Sequence, residues 1–421
     1  MKKYFILLLT AILWSIAAKA QSTSIPLQAS KSSLQLKNNS NKGFELFISH
    51  NEIKSLTVSS EKGNFSEIHI PGNGHTGDAG TPKLPACTHL IEVPQGAEIS
   101  VKVKNYDLAE YRLQDYGIEN PIMPVQPSIR KDQDPNKLKF HYKKEAYTAK
   151  SFTNYEIAKT TVLGNMRGIR IAKLSVQPVN YNPSRGSLKV YNNIELEVNF
   201  KNSDTLSDKR MKRTGYSPYF EPVYSKLLNH KSITDEHPDL TKYPVKMLIL
   251  ADRMFEDALQ PYVQWKTKKG FEVIVNYTDE GYNTPDAIKN WVQTHYESSG
   301  PDDPAPSFCL LVGDTDQIPA SQVANQSDRK TDLYYFSQDG DYFPEMYYGR
   351  FSANNLQELQ PQIDKTLYYE QYQFSDPTFL DDVTLIAGAD GTWNPNVGQS
   401  TVQYGTDNYF NSSFGFANVN D

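Results

Sequence analysis

The apolar positions of this chain change their period near residue 243. Before that point they alternate. Ile99, Val101 and Val103 share one face of a short segment and Ser100 and Lys102 the other, while Ile194, Leu196, Val198 and Phe200 recur at every second position. A period of two marks strands half-buried in a sheet. Asn192-Asn193, lying between Leu188–Tyr191 and that last run, reads as the turn of a hairpin. Proline and glycine clusters at 71–74, 82–85 and 121–127 separate the strands, and no stretch between 21 and 215 combines helical period with helical length. The expected first unit is all-β, a sandwich or barrel-like domain.

Two polar runs follow. One includes Lys209-Arg210-Met211-Lys212-Arg213, and the other spans His230 to Tyr243. Both read as exposed connecting chain open to proteolysis. The texture then changes. Val245–Leu250, Phe271–Tyr277, Phe308–Val312 and Val383–Ala387 read as strands. Helices are expected over Met254–Lys269 (stopped by Gly270), from Thr284-Pro285 to His295, and over Leu356–Tyr372. Nearly continuous apolar strands alternating with helices predict a mainly parallel sheet covered on both faces. Such sheets gather functional groups at the carboxyl ends of their strands. Asp314 and Asp316 follow one strand there, and Asp390 another.

Composition sharpens this outline. The chain has 421 residues, with 43 Lys and Arg against 49 Asp and Glu. That length accommodates two or three domains, and the mildly acidic balance lacks the basic footprint of a dedicated nucleic-acid binder. Lys2 and Lys3, the apolar run Phe5–Ala18 and the small residues of Ala18-Lys19-Ala20 form a secretory signal peptide over 1–20, and no later run has the length of a membrane span. Two cysteines, Cys87 and Cys309, rule out a disulfide-rich scaffold. Cys309, within Phe308–Val312, reads as a small buried hydrophobe.

The densest chemistry is Asp339-Gly340-Asp341-Tyr342-Phe343-Pro344-Glu345. Three carboxylates at i, i+2 and i+6, with the Phe343 carbonyl between them, offer hard oxygens of the kind calcium takes, and nothing soft enough for zinc or copper. The same spacing also suits a solvated acidic turn, and the residues alone leave both readings open. Asp390, after Leu385–Ala389, either orients a histidine or caps the next turn. None of the eight histidines belongs to a His-x-x-x-His pair, and no nucleophile elbow or phosphate loop occurs. His295 reads as a surface residue on its helix.

Thr331-Asp332-Leu333-Tyr334-Tyr335, continuing through Asp339 to Tyr347, resembles the catalytic domain of the gingipain family, the Lys-specific branch more than the Arg-specific one. Leu311-Val312-Gly313-Asp314-Thr315-Asp316 and Leu385–Asp390 with Trp393-Asn394 are similar too. Upstream, Gly164–Ala172 and Ser217-Pro218-Tyr219-Phe220-Glu221 resemble the family's propeptide. The resemblance implies a caspase-like α/β catalytic domain with a Cys-His dyad, preceded by an inhibitory β propeptide. It implies a calcium site at Asp314, Asp339, Asp341, the Phe343 carbonyl and Glu345, and a catalytic role for Asp390 in supporting the histidine. The expected organisation is a signal peptide over 1–20, a propeptide over 21–231 and a truncated peptidase domain over 232–421.

Further expectations follow from the resemblance. Protein or peptide substrates would be cut after basic residues, with the chain's own propeptide as inhibitor, at the cell surface or outside the cell. Cleavage after Lys231 would release the propeptide. Arg130-Lys131 either fills the specificity pocket in the zymogen or lies in a solvated loop. The family's His and Cys lie downstream of the stretch matching Asp390, and no His follows His295, so this 421-residue chain is expected to lack peptidase activity. The competing reading is a non-catalytic secreted surface or secretion-associated protein that retains the peptidase fold.

Overall fold

The computed structural model describes residues 23–129, 137–236, 238–323, 326–388, 394, 398–416 and 418–420. The first half is built from β1 (Thr23–Pro26), β2 (Ser33–Ser40), β3 (Gly43–Ser49), β4 (Glu52–Ser60), β5 (Gly63–His69), β6 (Gly74–Thr76), β7 (Leu84–Val93) and β8 (Glu98–Arg112). After a short helix, α1 (Lys144–Thr148), come β9 (Ala158–Met166), β10 (Ile169–Val176), β11 (Val179–Asn182) and β12 (Ser187–Lys201). These strands form sheets ordered β1-β4-β5, β6-β7-β10-β9 and β11-β12-β3-β2, with β8 along the free side of β12. The alternating apolar positions explain how two sheets stack. Phe44, Leu46 and Ile48 of β3 and Ile194, Leu196 and Val198 of β12 meet Ile91 and Val93 of β7 and Ala172, Leu174 and Val176 of β10 in one core. This is the expected sandwich.

Two expectations fail in this half. Asn192-Asn193 does not reverse the chain. β12 runs straight through it, and its pairing with β8 shifts register between Asn192 and Glu195. The left-handed φ of 48° at Asn193 serves a bulge as readily as a hairpin turn. Asn192 also accepts from the His50 N–H at 2.8 Å and donates to the His50 carbonyl at 2.9 Å, tying down the end of β3.

The basic stretch is likewise no open linker but a helix, α2 (Thr205–Thr214). Asp204 caps it by accepting the Ser207 N–H at 2.9 Å. Lys212 pairs with Asp208 one turn back at 2.9 Å and with Glu92 of β7 at 2.5 Å. The Lys212 charge, which looks solvated in the sequence, is thus spent against the β half, while Lys209 and Arg210 stay exposed. Between the two polar runs lies α3 (Glu221–Tyr224), and the second run holds α4 (Ile233–Glu236). Tyr216, Phe220, Tyr224, Leu227, Ile233 and Leu240 pack with Met166, Ile169 and Ile171 of the hairpin β9–β10.

The second half comprises β13 (Val245–Ala251), α5 (Glu256–Lys268), β14 (Phe271–Tyr277), α6 (Pro285–Glu297), β15 (Phe308–Val312), β16 (Ser321–Val323), β17 (Gln326–Thr331), α7 (Leu333–Phe336), β18 (Tyr347–Phe351) and α8 (Leu356–Glu370). β14, β13, β15 and β18 form a parallel sheet in that order. Met247, Ile249 and Ala251 of β13 face α5 and α8, while Leu248 and Leu250 face α6 and α7. Burial on both faces is why these strands read as unbroken apolar runs.

The last expected strand is cut short. β19 (Asp382–Thr384) pairs with β20 (Asn418–Asn420), beyond α9 (Gln399–Asn408), and does not join the main sheet. From Leu385 to Gly388 the chain is irregular, and Ile386 is 85% exposed. Val383, Leu385 and Ala387 on the alternate face are only half-buried.

Candidate functional site at the seam of the two halves

From β14 the chain crosses back over β13 to reach β15. Connections therefore diverge between β13 and β15, the position at whose carboxyl ends such sheets gather their functional groups. Asp314 lies there. Its N–H donates to the Ala353 carbonyl at 2.9 Å, and its carboxylate accepts from Ser352 Oγ at 2.9 Å. The Ser352 hydroxyl, then the Thr315 N–H, hold this carboxyl below the usual range. The loop carrying Asp314 is fixed by Arg350, which forks onto Asp332 at 2.7 and 3.0 Å and donates to the Gly313 and Ile318 carbonyls, both at 2.9 Å. Gly313 has φ 143°, and a Cβ there would press against Gln317. The segments 311–316 and 331–335 thus form one structural unit.

The acidic loop lies at the other edge of the sheet. Phe308 pairs with Tyr347 and Val312 with Phe351. Glu345 consequently precedes the amino edge and Asp314 follows the carboxyl edge, with a strand of about 13 Å between them. The structure separates Asp314 from the other four residues expected to act with it. Those four stay close in sequence and are held locally. Asp341 Oδ1 accepts the Phe343 N–H at 2.7 Å, its carbonyl accepts from Ser337 Oγ at 2.6 Å, and the Glu345 N–H donates to the Phe336 carbonyl at 2.8 Å. Asp339 is exposed, and Phe343 packs against the core shared by the connecting chain and the hairpin β9–β10.

That hairpin is what meets the loop. Its two-residue turn places Arg167 at φ 49° and Gly168 at φ 80°, the left-handed pair of a tight hairpin turn. The Asn165 N–H donates to Asp341 Oδ2 at 2.9 Å and the Arg167 N–H to Glu345 Oε2 at 2.5 Å. Tyr296 Oη donates to the same Glu345 oxygen at 3.1 Å. The Arg167 side chain is buried at 1% exposure. Its Nε donates to Gly215 O at 2.8 Å, Nη1 to Pro306 O at 2.6 Å and Glu345 O at 2.5 Å, and Nη2 to Ala305 O at 2.9 Å and Tyr216 O at 3.5 Å. A guanidinium has five N–H donors, and here each one meets a backbone carbonyl. The Phe220 ring covers one face, 4.9 Å from the guanidinium carbon. Two glycines permit the approach, since a Cβ on Gly164 would collide with the Asp341 carboxylate and one on Gly215 with the Arg167 carbonyl. Burial pushes the Glu345 carboxyl up to about 7, although the Arg167 N–H and charge pull the other way.

Hard carboxylate and carbonyl oxygens suit calcium in kind, but this arrangement does not fit it. Both Asp341 oxygens and Glu345 Oε2 already accept hydrogen bonds. Among the described residues no three His, Cys, Asp or Glu side chains converge on a common point, whereas calcium takes six to eight oxygens.

Neither cysteine has the surroundings of a nucleophile. Cys87 Sγ lies 2.9 Å from His89 Nε2 on β7, a contact the sequence reading passed over despite its Cys-x-His spacing. Burial pushes the Cys87 thiol up to about 11 and the His89 imidazole down, so both partners are neutral, the reverse of an activated thiolate–imidazolium pair. Cys309 is buried in β15 and raised further by the same cause. His295, expected at the surface, is half-buried with its ring 5.3 Å from that of Trp291. Asp390, Arg130 and Lys131 lie outside the described residues. Asn165, Arg167 and Tyr296 were not singled out from the sequence. In the sequence only the resemblance at 164–172 takes in Asn165 and Arg167.

The profile of the C25 propeptide matches residues 36–214, and that of peptidase family C25 matches residues 240–419. The chain belongs to peptidase family C25. Within the family it is similar to Lys-gingipain of Porphyromonas gingivalis, 42% identical over 416 residues, covering 98% of this chain and 24% of the relative. It thus spans about a quarter of that relative's length. Gingipain R1 of the same organism is 26% identical over 357 residues, covering 84% of this chain and 34% of the relative. A solved structure concerned with the zymogenic latency of gingipain K from Porphyromonas gingivalis aligns at 42% identity and TM-score 0.42, over 43% of this chain and 99% of the other. In C25 terms, the sandwich is the propeptide and the parallel sheet belongs to the peptidase region.

Proposed function

We propose that this chain is the propeptide and first part of the catalytic region of an exported cysteine endopeptidase that cuts after basic residues, lysine foremost. The observation that carries the reading is the order of the two C25 segments, propeptide before peptidase, with the hairpin of the first seated in the acidic loop of the second. Similarity to Lys-gingipain supports the basic specificity. In the complete enzyme a cysteine thiolate attacks the scissile carbonyl, and an imidazole takes the proton and passes it to the leaving amine. Asp390 orients that imidazole and steadies its charged form. The leader over 1–20 directs export. Lys231 is exposed, and a cut after it divides an inhibitory propeptide over 21–231 from the peptidase region beginning at 232. Arg130-Lys131 is the proposed filler of the specificity pocket. Calcium remains part of the proposal for the loop oxygens of Asp339, Asp341, Phe343 and Glu345, in an arrangement other than the one described above.

The test is hydrolysis of lysyl and arginyl peptides by the complete gene product, before and after the propeptide is cut away. Lysyl turnover that appears after the cut and is abolished by thiol alkylation is expected. Absence of thiol-dependent hydrolysis overturns the reading.

A further inference from the structure

We propose that the β9–β10 turn at Arg167 is the docking plug that keeps the propeptide half on the α/β half after the connecting chain has been cut. The inference rests on the zymogen reading above and adds the residue that does the holding. Arg167 joins three segments at one point. It stands on the hairpin, it bonds the connecting chain at Gly215 and Tyr216, and it bonds the α/β half at Ala305, Pro306 and Glu345. On either side, the backbone N–H groups of Asn165 and Arg167 reach the Asp341 and Glu345 carboxylates. The ring of Phe220, stacked over the guanidinium, belongs to the apolar core in which Met166, Ile169 and Ile171 bury the base of the turn.

A buried, fully bonded arginine at the centre of a contact is the usual anchor of a protein interface. Removing it strands five carbonyls, several of them buried, without donors. Lysine is no substitute, because one ammonium cannot reach acceptors spread around a planar fork. The remaining hairpin contacts do not require the connecting chain to be intact, so a cut near Lys231 leaves them in place. The sequence places the turn 178 residues from Glu345, and in a cut protein that contact is intermolecular.

The test uses the full chain with a specific protease site inserted after Lys231. After complete cutting, the two fragments of the parent protein are expected to co-elute on gel filtration at micromolar concentration and to appear as one mass by native mass spectrometry. Cut Arg167→Ala and Arg167→Lys are expected to separate, with affinity lowered roughly 30-fold or more. Circular dichroism of the uncut variants reports whether they fold. If Arg167→Ala does not fold, Gly164→Ala carries the test. Its added methyl presses on the Asp341 carboxylate from the propeptide side, and affinity should fall roughly 10-fold. Fragments of the cut Arg167 variants that hold together as tightly as the parent's overturn the proposal, and so does a parent that falls apart on cutting. Neither result bears on the peptidase reading, which is decided by hydrolysis in the complete enzyme.

Discussion

His230 is held between two carboxylates, with Glu92 on Nδ1 at 2.5 Å and Glu221 on Nε2 at 3.1 Å. Burial works against its charged form, but the two glutamates outweigh it and hold the pKa above the ordinary value. A raised pKa means that the folded protein binds this proton more tightly than the unfolded chain. The resulting stability is present in full below about pH 6.5 and is lost as pH climbs through the raised value. His230→Gln should therefore cost about 1–3 kcal/mol in urea unfolding at pH 5.5, with the gap narrowing by pH 8.5. A gap that widens with pH would contradict this account. Arg350→Ala removes the fork from Asp332 and three carbonyl contacts. About 2–4 kcal/mol should be lost in the same assay, because a half-buried carboxylate is left without its partner.

Single residues were the least legible part of the sequence. The acidic spacing at 339–345 drew notice, since carboxylates announce themselves. Arg167 did not, because its acceptors are backbone carbonyls, and no pattern of residue types encodes a carbonyl contributed 138 positions away.

Elements were read best where one period dominated. Three strands of the parallel sheet, β13, β14 and β15, and the helix opened by Thr284-Pro285 lie within a residue or two of expectation, because burial on fixed faces imposes the period that was read, whereas the fourth strand, β18, was not anticipated. Failure came where polar side chains, not apolar ones, set the structure. α2 exists because Asp204 caps it and Lys212 is paired, features that composition alone registers as solvated charge. Asp204→Ala should lower the stability of the β half by about 1 kcal/mol. Hydrogen exchange should localise the loss to 205–214, and uniform loss across the strands would argue against a capping role. The bulge at Asn193 gives a parallel case. Val there must adopt a left-handed backbone at a cost of about 1–2 kcal/mol, whereas Gly should be close to neutral. Thermal unfolding of the two variants separates these outcomes.

For the whole molecule, the two-half architecture and its order were plain from the change of period, but the manner of their joining was not. The connecting chain looked loose and proved to be packed, with Tyr216, Phe220, Leu227, Ile233 and Leu240 buried. Trypsin should for this reason cut first at exposed Lys226 or Lys231, ahead of the paired basic residues of α2, and mass mapping of the first fragments checks the order. The 421-residue chain itself should show no thiol-dependent turnover of lysyl peptides, since burial keeps both of its cysteines protonated.

The left-handed turn at Arg167 has a kinetic consequence. One cation ties three stretches of backbone, and to leave the α/β half it must give up Ala305, Pro306 and Glu345 while Gly215 and Tyr216 leave with it. The three ties to the α/β half should loosen together. Amides along the seam should exchange their hydrogens in a single shared event, and a molecule nicked at one place should keep its outline until that event occurs.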